Sequence, residues 1–202
     1  MFAYTHHDRL WISVLTLSLA LLAITLHSPS NAEVSDPKQQ SLDAFNKFNA
    51  MTEDQRKLAM DKMSQADMNM VMMGAAQVSN EVNETIQAMA EPNKEIASIY
   101  ELSSGNFTNS GNNSQVSGIS RILSVNDVEF LRFEHFNITN GPDLHVYFTN
   151  NGDLVDGKDL GVLKGNIGSQ NYFLGDIAKQ YDTVVIASKA FNTIYAKAAL
   201  QP

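Results

Sequence analysis

Cysteine is absent from the 202 residues, and cations are outnumbered by anions. Without a thiol the chain cannot form disulfides, thiolate zinc sites, Fe–S clusters, covalent c-type haem or cysteine-ligated copper. Fourteen Lys and Arg against 22 Asp and Glu give a net charge of −8. This balance argues against nucleic acid as a partner, because neutralising phosphates needs a surplus of cations. Hydrophobic residues make up 44% of the chain, enough to bury a core. The length allows one ordinary domain, or one domain plus an extension.

The N-terminus carries a low-polarity run, Leu10–Leu26, with Arg9 before it and the small residues of Ser30-Asn31-Ala32 after it. This order is typical of a secretory signal, so residues 1–32 are predicted to be a signal peptide. The 17 residues of the run would span about 25 Å as a helix, less than a bilayer core of roughly 30 Å. Cleavage before Glu33 is therefore favoured. The alternative is a retained membrane anchor that contacts the membrane through residues 10–26. In both cases we expect an extracytoplasmic location, secreted or at the cell surface.

The sequence contains four N-glycosylation sequons, which could carry glycans if the protein is exported. The alternative is that they arise by chance in a chain rich in Asn, Ser and Thr. The acceptor positions are Asn83, Asn106, Asn112 and Asn137.

Residues 33–95 are predicted to form a methionine-rich helical segment. Thr52-Glu53-Asp54-Gln55 is a capping-box pattern that starts a helix. A second helix is predicted over Ala75–Ala90, because Val78, Val82, Ile86 and Met89 fall on one helical face. The first helix has its own apolar stripe, formed by Leu58, Met60, Met63, Met70 and Met73.

Residues 96–202 have the pattern of an antiparallel β-sandwich, with short β-branched and aromatic runs between Gly-, Asn- and Ser-rich turns. In Asp143–Phe148 the apolar residues alternate with polar ones, as in a half-buried strand. The predicted strands are Ser98–Phe107, Gln115–Val125, Asp127–Phe136, Asp143–Thr149, Tyr172–Leu174, Thr183–Ser188 and Thr193–Ala198. The predicted fold class is α+β, an N-terminal helical segment followed by an antiparallel all-β sandwich.

The sandwich half resembles the DM-thirteen domain, a family associated with electron transfer and with DOMON domains. The resemblance covers about residues 96–200, and the blocks that carry it occur in order: Arg132-Phe133-Glu134-His135-Phe136, Asn140–Phe148, Asp159–Gly168, Gln170, Tyr172, Thr183–Ile186 and Phe191. It implies an extracytoplasmic β-sandwich that takes part in a redox system at the cell surface.

One departure from the family concerns its redox chemistry. The family carries a cysteine just after the Val-Val-Ile strand, and the matching position here is Ser188. A hydroxyl cannot cycle through a disulfide and is a poor ligand for a soft metal or haem. The resemblance therefore still implies the fold of the family, but it does not imply thiol redox chemistry for this chain.

Two groups of side chains remain as candidate metal ligands, for copper or haem. His135 and His145 are the histidines left beyond residue 32, and imidazole suits copper and iron. The thioethers of Met68, Met70, Met72 and Met73 suit Cu(I). The alternatives are hydrogen-bonded or surface histidines and methionines that fill helix contacts, and we favour these alternatives on the residue pattern.

The expected function is that of an exported, non-catalytic cell-surface or periplasmic binding module associated with a redox or copper-handling system. Its partner would be an extracytoplasmic protein. The predicted ligand or partner surface comprises Asn140, Gly141, Pro142, Asp143, His145 and Tyr147, because loops on a rigid scaffold often carry function. The alternative is an electron-transfer protein that holds copper or haem through His or Met ligands.

Overall fold

The computed structural model describes residues 36–111 and 114–202. The predicted signal or anchor over residues 1–32 lies outside the described residues, as does Asn112. Within the described ranges, no helix is long and apolar enough to cross a membrane.

Three helices precede the sheets, and each starts at a side-chain cap. They are α1 (Pro37–Asn49), α2 (Glu53–Met60) and α3 (Gln65–Ala75). The predicted capping box at Thr52 is confirmed: the Thr52 hydroxyl accepts from the Gln55 N–H at 3.3 Å, and the Gln55 side chain accepts from the Thr52 N–H at 2.9 Å. Ser64 caps α3 in the same way with Asp67. The second cap divides the predicted methionine stripe between α2, the intervening turn and α3.

Ten strands follow in two five-stranded sheets. They are β1 (Glu81–Asn83), β2 (Ile99–Asn106), β3 (Thr108–Asn109), β4 (Val116–Val125), β5 (Val128–Ile138), β6 (Leu144–Thr149), β7 (Lys158–Val162), β8 (Ile167–Phe173), β9 (Thr183–Ser188) and β10 (Thr193–Ala199). The first sheet has the order β1-β8-β5-β4-β2 and the second β3-β10-β9-β6-β7. The predicted α+β class is confirmed. One pairing, β1 with β8, is parallel, whereas the other ladders are antiparallel.

The main core lies between the sheets and is built from the inward-facing residues of their strands. Leu144, Val146 and Phe148 of β6 are buried on this side, as their alternation predicted. Phe107, Phe133 and Phe136 form a cluster of aromatic rings whose centroids lie 4.9–5.1 Å apart.

The predicted helix over Ala75–Ala90 is wrong. The chain leaves α3 at Ala75 and forms β1, and a single 3-10 turn follows at Ile86–Met89. The backbone groups of this stretch bond to the sheet: the Asn80 N–H donates to the Asn166 side chain at 2.6 Å. The four apolar residues on which the helix prediction rested have different surroundings: Val78 packs on the helical core, whereas Ile86 and Met89 pack with Leu123 and Val125 on the outer face of the first sheet.

The helices pack on one end of the sandwich around a second, smaller core. Phe45 and Phe48 of α1 meet Val71 of α3 there, and the loop between β9 and β10 contributes Phe191. The rings of Phe48 and Phe191 have their centroids 5.4 Å apart. The helical segment is therefore joined to the second sheet by apolar contact.

The contact between α1 and α3 requires a glycine at position 74. A methyl group there would overlap the Ser41 carbonyl oxygen and lie 2.8 Å from the Phe45 Cβ. Gly74→Ala should therefore lower the free energy of unfolding by about 1–3 kcal/mol, as overpacking does, although Ala normally favours a helix by roughly 1 kcal/mol over Gly. Urea unfolding measures the change.

Asn69→Ala is the matched control, because Asn69 lies on the exposed side of the same helix. This substitution should leave stability unchanged or raise it slightly through helix propensity. A Gly74→Ala protein as stable as the wild type would contradict the close approach of the two helices.

Candidate functional site

The first four residues of the predicted ligand or partner surface lie in the loop of residues 139–143 between β5 and β6, which we call the contact loop; it faces α2. Gly141 and Pro142 are buried, and Asn140 is half-buried. A side chain at Gly141 would lie 2.5 Å from the Tyr195 hydroxyl oxygen, so glycine is required for this packing. Asp143 adopts a left-handed backbone conformation, with φ of 54°, which Asp tolerates better than most residues. This conformation turns the chain into β6.

His145 projects from the polar side of β6 but is only 8% exposed, and carboxylates face both ring nitrogens. Its Nδ1 lies 2.9 Å from Asp159 Oδ1 on β7, and its Nε2 lies 3.7 Å from Asp143 Oδ1. Because a carboxylate only accepts hydrogen bonds, Nδ1 is the donor to Asp159. The Tyr147 ring stacks beside the imidazole, with centroids 6.1 Å apart. The histidine is thus engaged within the protein on both sides.

Two ion pairs connect this arrangement to α2. Arg56 Nη2 lies 3.1 Å from Asp143 Oδ1. Lys189 Nζ, after β9, lies 3.0 Å from Glu53 Oε1 and 3.7 Å from Asp159 Oδ2. The contacts therefore run from Arg56 on α2 through the carboxylates and the histidine at the end of the second sheet to Lys189, which returns to Glu53 on α2. We call this set the charged ring; its members are Glu53, Arg56, Asp143, His145, Asp159 and Lys189.

Ser188, the position that matches the family cysteine, lies beside the charged ring and is 1% exposed. Its hydroxyl donates to the Pro142 carbonyl at 2.7 Å and accepts from the Phe191 N–H at 3.2 Å. The next residue, Lys189, donates its backbone N–H to the Asp143 carbonyl at 3.0 Å. The serine thus fixes the contact loop to the end of β9, and both of its hydrogen bonds go to the backbone.

A cavity of about 590 Å³ lies between the helices and the contact loop. Arg56 and Asp143 line it, together with the polar side chains of Asn49, Asn140 and Lys164. Arg56 donates from Nη1 to the Met51 carbonyl at 2.8 Å, whereas its buried Nε has no hydrogen-bond partner among the described residues. Guanidinium has five N–H donors, so Arg56 retains donors in addition to those that contact the Met51 carbonyl and Asp143.

The two candidate histidines lie in different sheets. His135 is exposed in β5, where φ of 49° and a register shift mark a bulge, and His145 is buried in β6. The described ranges contain no group of three or more His, Cys, Asp or Glu that could hold a metal ion.

The four candidate methionines lie on α3 but do not share a face. At 3.6 residues per turn, Met68 and Met72 flank one side of the buried face, and Met70 lies on its other side. Met73 points outward and is 56% exposed. The helix therefore presents two separated pairs of thioethers.

Three of the four sequon asparagines, Asn83, Asn106 and Asn137, are exposed. The Asn83 amide is engaged locally: it donates to Glu81 at 2.6 Å and accepts from the Ser169 N–H at 3.3 Å.

Sequence reasoning found Asp143 and His145 but missed the partners Arg56, Asp159 and Lys189. Asp159 stands in one of the blocks that carry the family resemblance, and this was the available signal for it. Arg56 has no comparable signal, because it lies in a helix far from Asp143 along the chain.

The charged ring predicts an acid-sensitive contribution to stability. Burial alone would raise the pKa of Asp159, but hydrogen bonds from His145 and the Gly161 N–H, with nearby positive charge, lower it below 3.8. A carboxyl that binds protons more weakly when folded stabilises the protein above its ordinary pKa, and this stability is lost as the pH falls through the lowered value. The free energy of unfolding should therefore fall below about pH 4, and Asp159→Asn should show a smaller fall.

Urea unfolding between neutral and acidic pH measures this effect. Asp176→Asn removes an exposed carboxylate and should keep the acid dependence of the wild type. If Asp159→Asn loses stability with acid as steeply as the wild type, Asp159 makes no such contribution.

Comparison with known proteins gives one result for the sandwich. No curated protein and no solved structure matches the chain. One family model does match, described as Electron transfer DM13, over residues 106–200. The match runs from the end of β2 to the end of β10 and includes Asp143, His145, Asp159 and Ser188. It starts after the three helices. Residues 106–200 thus match the DM13 electron-transfer family, which confirms the resemblance stated from the sequence and suggests a redox-related role.

Proposed function

We propose that the protein is an exported, non-catalytic binding module of the cell surface or periplasm, associated with a redox or copper-handling system. The observation that carries the proposal is the state of Ser188 and His145 within the DM13 match. The serine hydroxyl is bonded to two backbone groups, and the imidazole faces two carboxylates. Ser188 and His145 are the candidate reactive groups of this domain, and both are used in contacts within the protein. The domain is therefore suited to binding a partner rather than to redox chemistry.

The export part of this proposal rests on the sequence. The apolar run Leu10–Leu26 follows Arg9 and precedes small residues, the order of a secretory signal. The three exposed sequon asparagines fit a surface that meets a glycosylation system, where the host has one.

The surface that binds the partner or ligand is the accessible part of the predicted contact loop. Pro142 is buried and does not line the 590 Å³ cavity, whereas Asn140, Gly141 and Asp143 do, so a ligand in this cavity would meet the loop at these three residues. Arg56 adds hydrogen-bond donors from α2. In this proposal the helices complete a site that the sandwich alone would leave open.

The alternative function is electron transfer through copper or haem, and the description of the matching family favours it. Copper held by methionine needs thioethers that converge on one point, whereas the two methionine pairs of α3 diverge. Haem needs an axial ligand such as His or Met. His145 could serve only by giving up a carboxylate contact, and the exposed His135 lies in the other sheet and cannot join it as a second ligand. The candidate ligands therefore do not fit a single copper or haem site.

Loading with copper and haem separates the two functions. The protein, purified as the cell processes it, is incubated with Cu(I) or haem under reducing conditions and passed through gel filtration. We expect less than stoichiometric metal by elemental analysis and no retained visible absorption, because the methionine pairs diverge, His145 is engaged by carboxylates and the exposed His135 lies in the other sheet.

Two variants assign any binding that does occur. Stoichiometric copper that is lost in Met68→Leu/Met72→Leu, or haem that is lost in His135→Ala, would establish the electron-transfer function and overturn the binding module. Leu58→Ala, which alters an exposed apolar residue of α2 without removing a ligand, is the control.

A further inference from the structure

The outer face of the first sheet carries an exposed aromatic residue beside an apolar cavity. Phe173, at the end of β8, is 68% exposed. Its ring contacts Phe130 of β5 edge-on, with centroids 5.8 Å apart. The cavity has a volume of about 310 Å³, and its apolar lining comes from Met89, Val125 and Val128 in addition to the two phenylalanines. The Glu91–Lys94 ion pair also lines it and adds no net charge. Large apolar side chains left uncovered beside a cavity are typical of binding surfaces.

The chain itself covers only part of this face. The 3-10 turn Ile86–Met89 lies over Leu123 and Val125, which are buried. Val128 remains 39% exposed, and Phe173 lies at the open side of the cavity. A partner could therefore add apolar contact without displacing any part of the fold.

A second cavity, of about 560 Å³, adjoins the first and shares Val128 and Phe173 with it. Asp127, Glu129 and Asp176 line this cavity against the single cation Lys179. Within residues 36–111 and 114–202, none of these four groups forms an ion pair. Three carboxylates against one ammonium leave a net negative charge next to an exposed aromatic ring.

The hairpin that carries Asp127 holds this charge in a fixed place. Asn126 and Asp127 form the two-residue connection of β4 and β5, both in the left-handed conformation, with φ of 50° and 64°. This is the type I′ geometry that matches the twist of a β-hairpin. Val125 and Val128 are paired directly before and after the turn. The acidic and the apolar parts of the surface are thus joined through one tight hairpin.

We propose that this surface, defined by Asp127, Val128, Phe130, Phe173 and Asp176, binds a segment of a partner protein that combines an apolar side chain with neighbouring Lys or Arg. The apolar side chain enters the 310 Å³ cavity, and the cation lies over Phe173 and the carboxylates. An aromatic face attracts cations, and the negative rim adds to that attraction. The proposal deepens the binding module and rests on that function for its biological meaning.

Charge complementarity selects this occupant over the others. A second copy of the chain would bring a net charge of −8 against a surface that is already negative. Anionic lipid is disfavoured for the same reason. A basic apolar peptide segment is the occupant that both parts of the surface favour.

Fluorescence anisotropy with a labelled peptide tests the surface. The probe is a ten-residue peptide of leucine and lysine, and the same peptide with glutamate for lysine is the charge control. With the protein as the cell processes it, we expect saturable binding of the lysine peptide that weakens with salt, and no binding of the glutamate peptide. Phe173→Ser and Asp127→Asn/Asp176→Asn should each weaken binding at least tenfold.

Matched variants separate the surface from general attraction to an acidic protein. Tyr100→Ser alters an aromatic residue of β2 that is 61% exposed, and Asp61→Asn/Asp156→Asn removes two exposed carboxylates elsewhere; both should bind like the wild type. Asp176→Lys, at an exposed position, provides a charge reversal if Phe173→Ser does not fold.

Three outcomes overturn the proposal: equal binding of both peptides, unchanged binding in the surface variants, or equal weakening in the control variants. Self-association in analytical ultracentrifugation that Phe173→Ser abolishes would also overturn it, because the occupant would then be a second copy. These outcomes can be distinguished from failure of the proposed binding function. That function would fail if copper or haem bound stoichiometrically, and this result does not depend on Phe173.

Discussion

Burial of the β5–β6 loop against the helices is the constraint on which the rest of this structure depends. Once Pro142, Asp143 and Ser188 are removed from water, every polar group among them needs a partner within the protein, because an unpaired buried group is costly. The Ser188 hydroxyl bonds to the Pro142 carbonyl, and Asp143 receives Arg56 from α2. Packing the helices there therefore requires the Arg56–Asp143 ion pair, because removing either residue would leave the charge of the other buried without a partner.

The same constraint shapes the chemistry of the DM13-matching region. A thiol at position 188 could leave its hydrogen bonds to react, but a serine has no comparable reactivity at neutral pH, and here its hydroxyl holds two backbone segments together. His145 is oriented in the same manner by Asp159 and lies near Asp143. The groups that could have carried redox chemistry instead hold the β5–β6 loop, the end of β9 and strand β7 in place within the sandwich.

Local patterns predicted the elements that local forces determine. The capping box at Thr52 and the alternation along β6 depend on neighbours within a few residues, and both were confirmed. The helix over Ala75–Ala90 failed because long-range contacts determine this stretch: β1 pairs with β8, Met89 packs on the first sheet, and Asn80 bonds to Asn166, far along the chain. Strand β7 was missed because it includes Asp159 and Gly161, residue types that are rare in strands. Arg56 was missed for a related reason, since only the folded chain brings α2 to Asp143.

The two ends of β5 separate the two surfaces of the molecule. At its C-terminal end lie the contact loop, the helices and the 590 Å³ cavity, where polar groups are paired or partly paired. At its N-terminal end lie the Asn126-Asp127 hairpin and Phe173, where the apolar ring is uncovered and three carboxylates form no ion pair within the described ranges. Eleven residues of strand place these ends roughly 35 Å apart at about 3.3 Å per residue. The two proposed binding surfaces are therefore far enough apart that a partner on the hairpin surface would leave the loop and its cavity free.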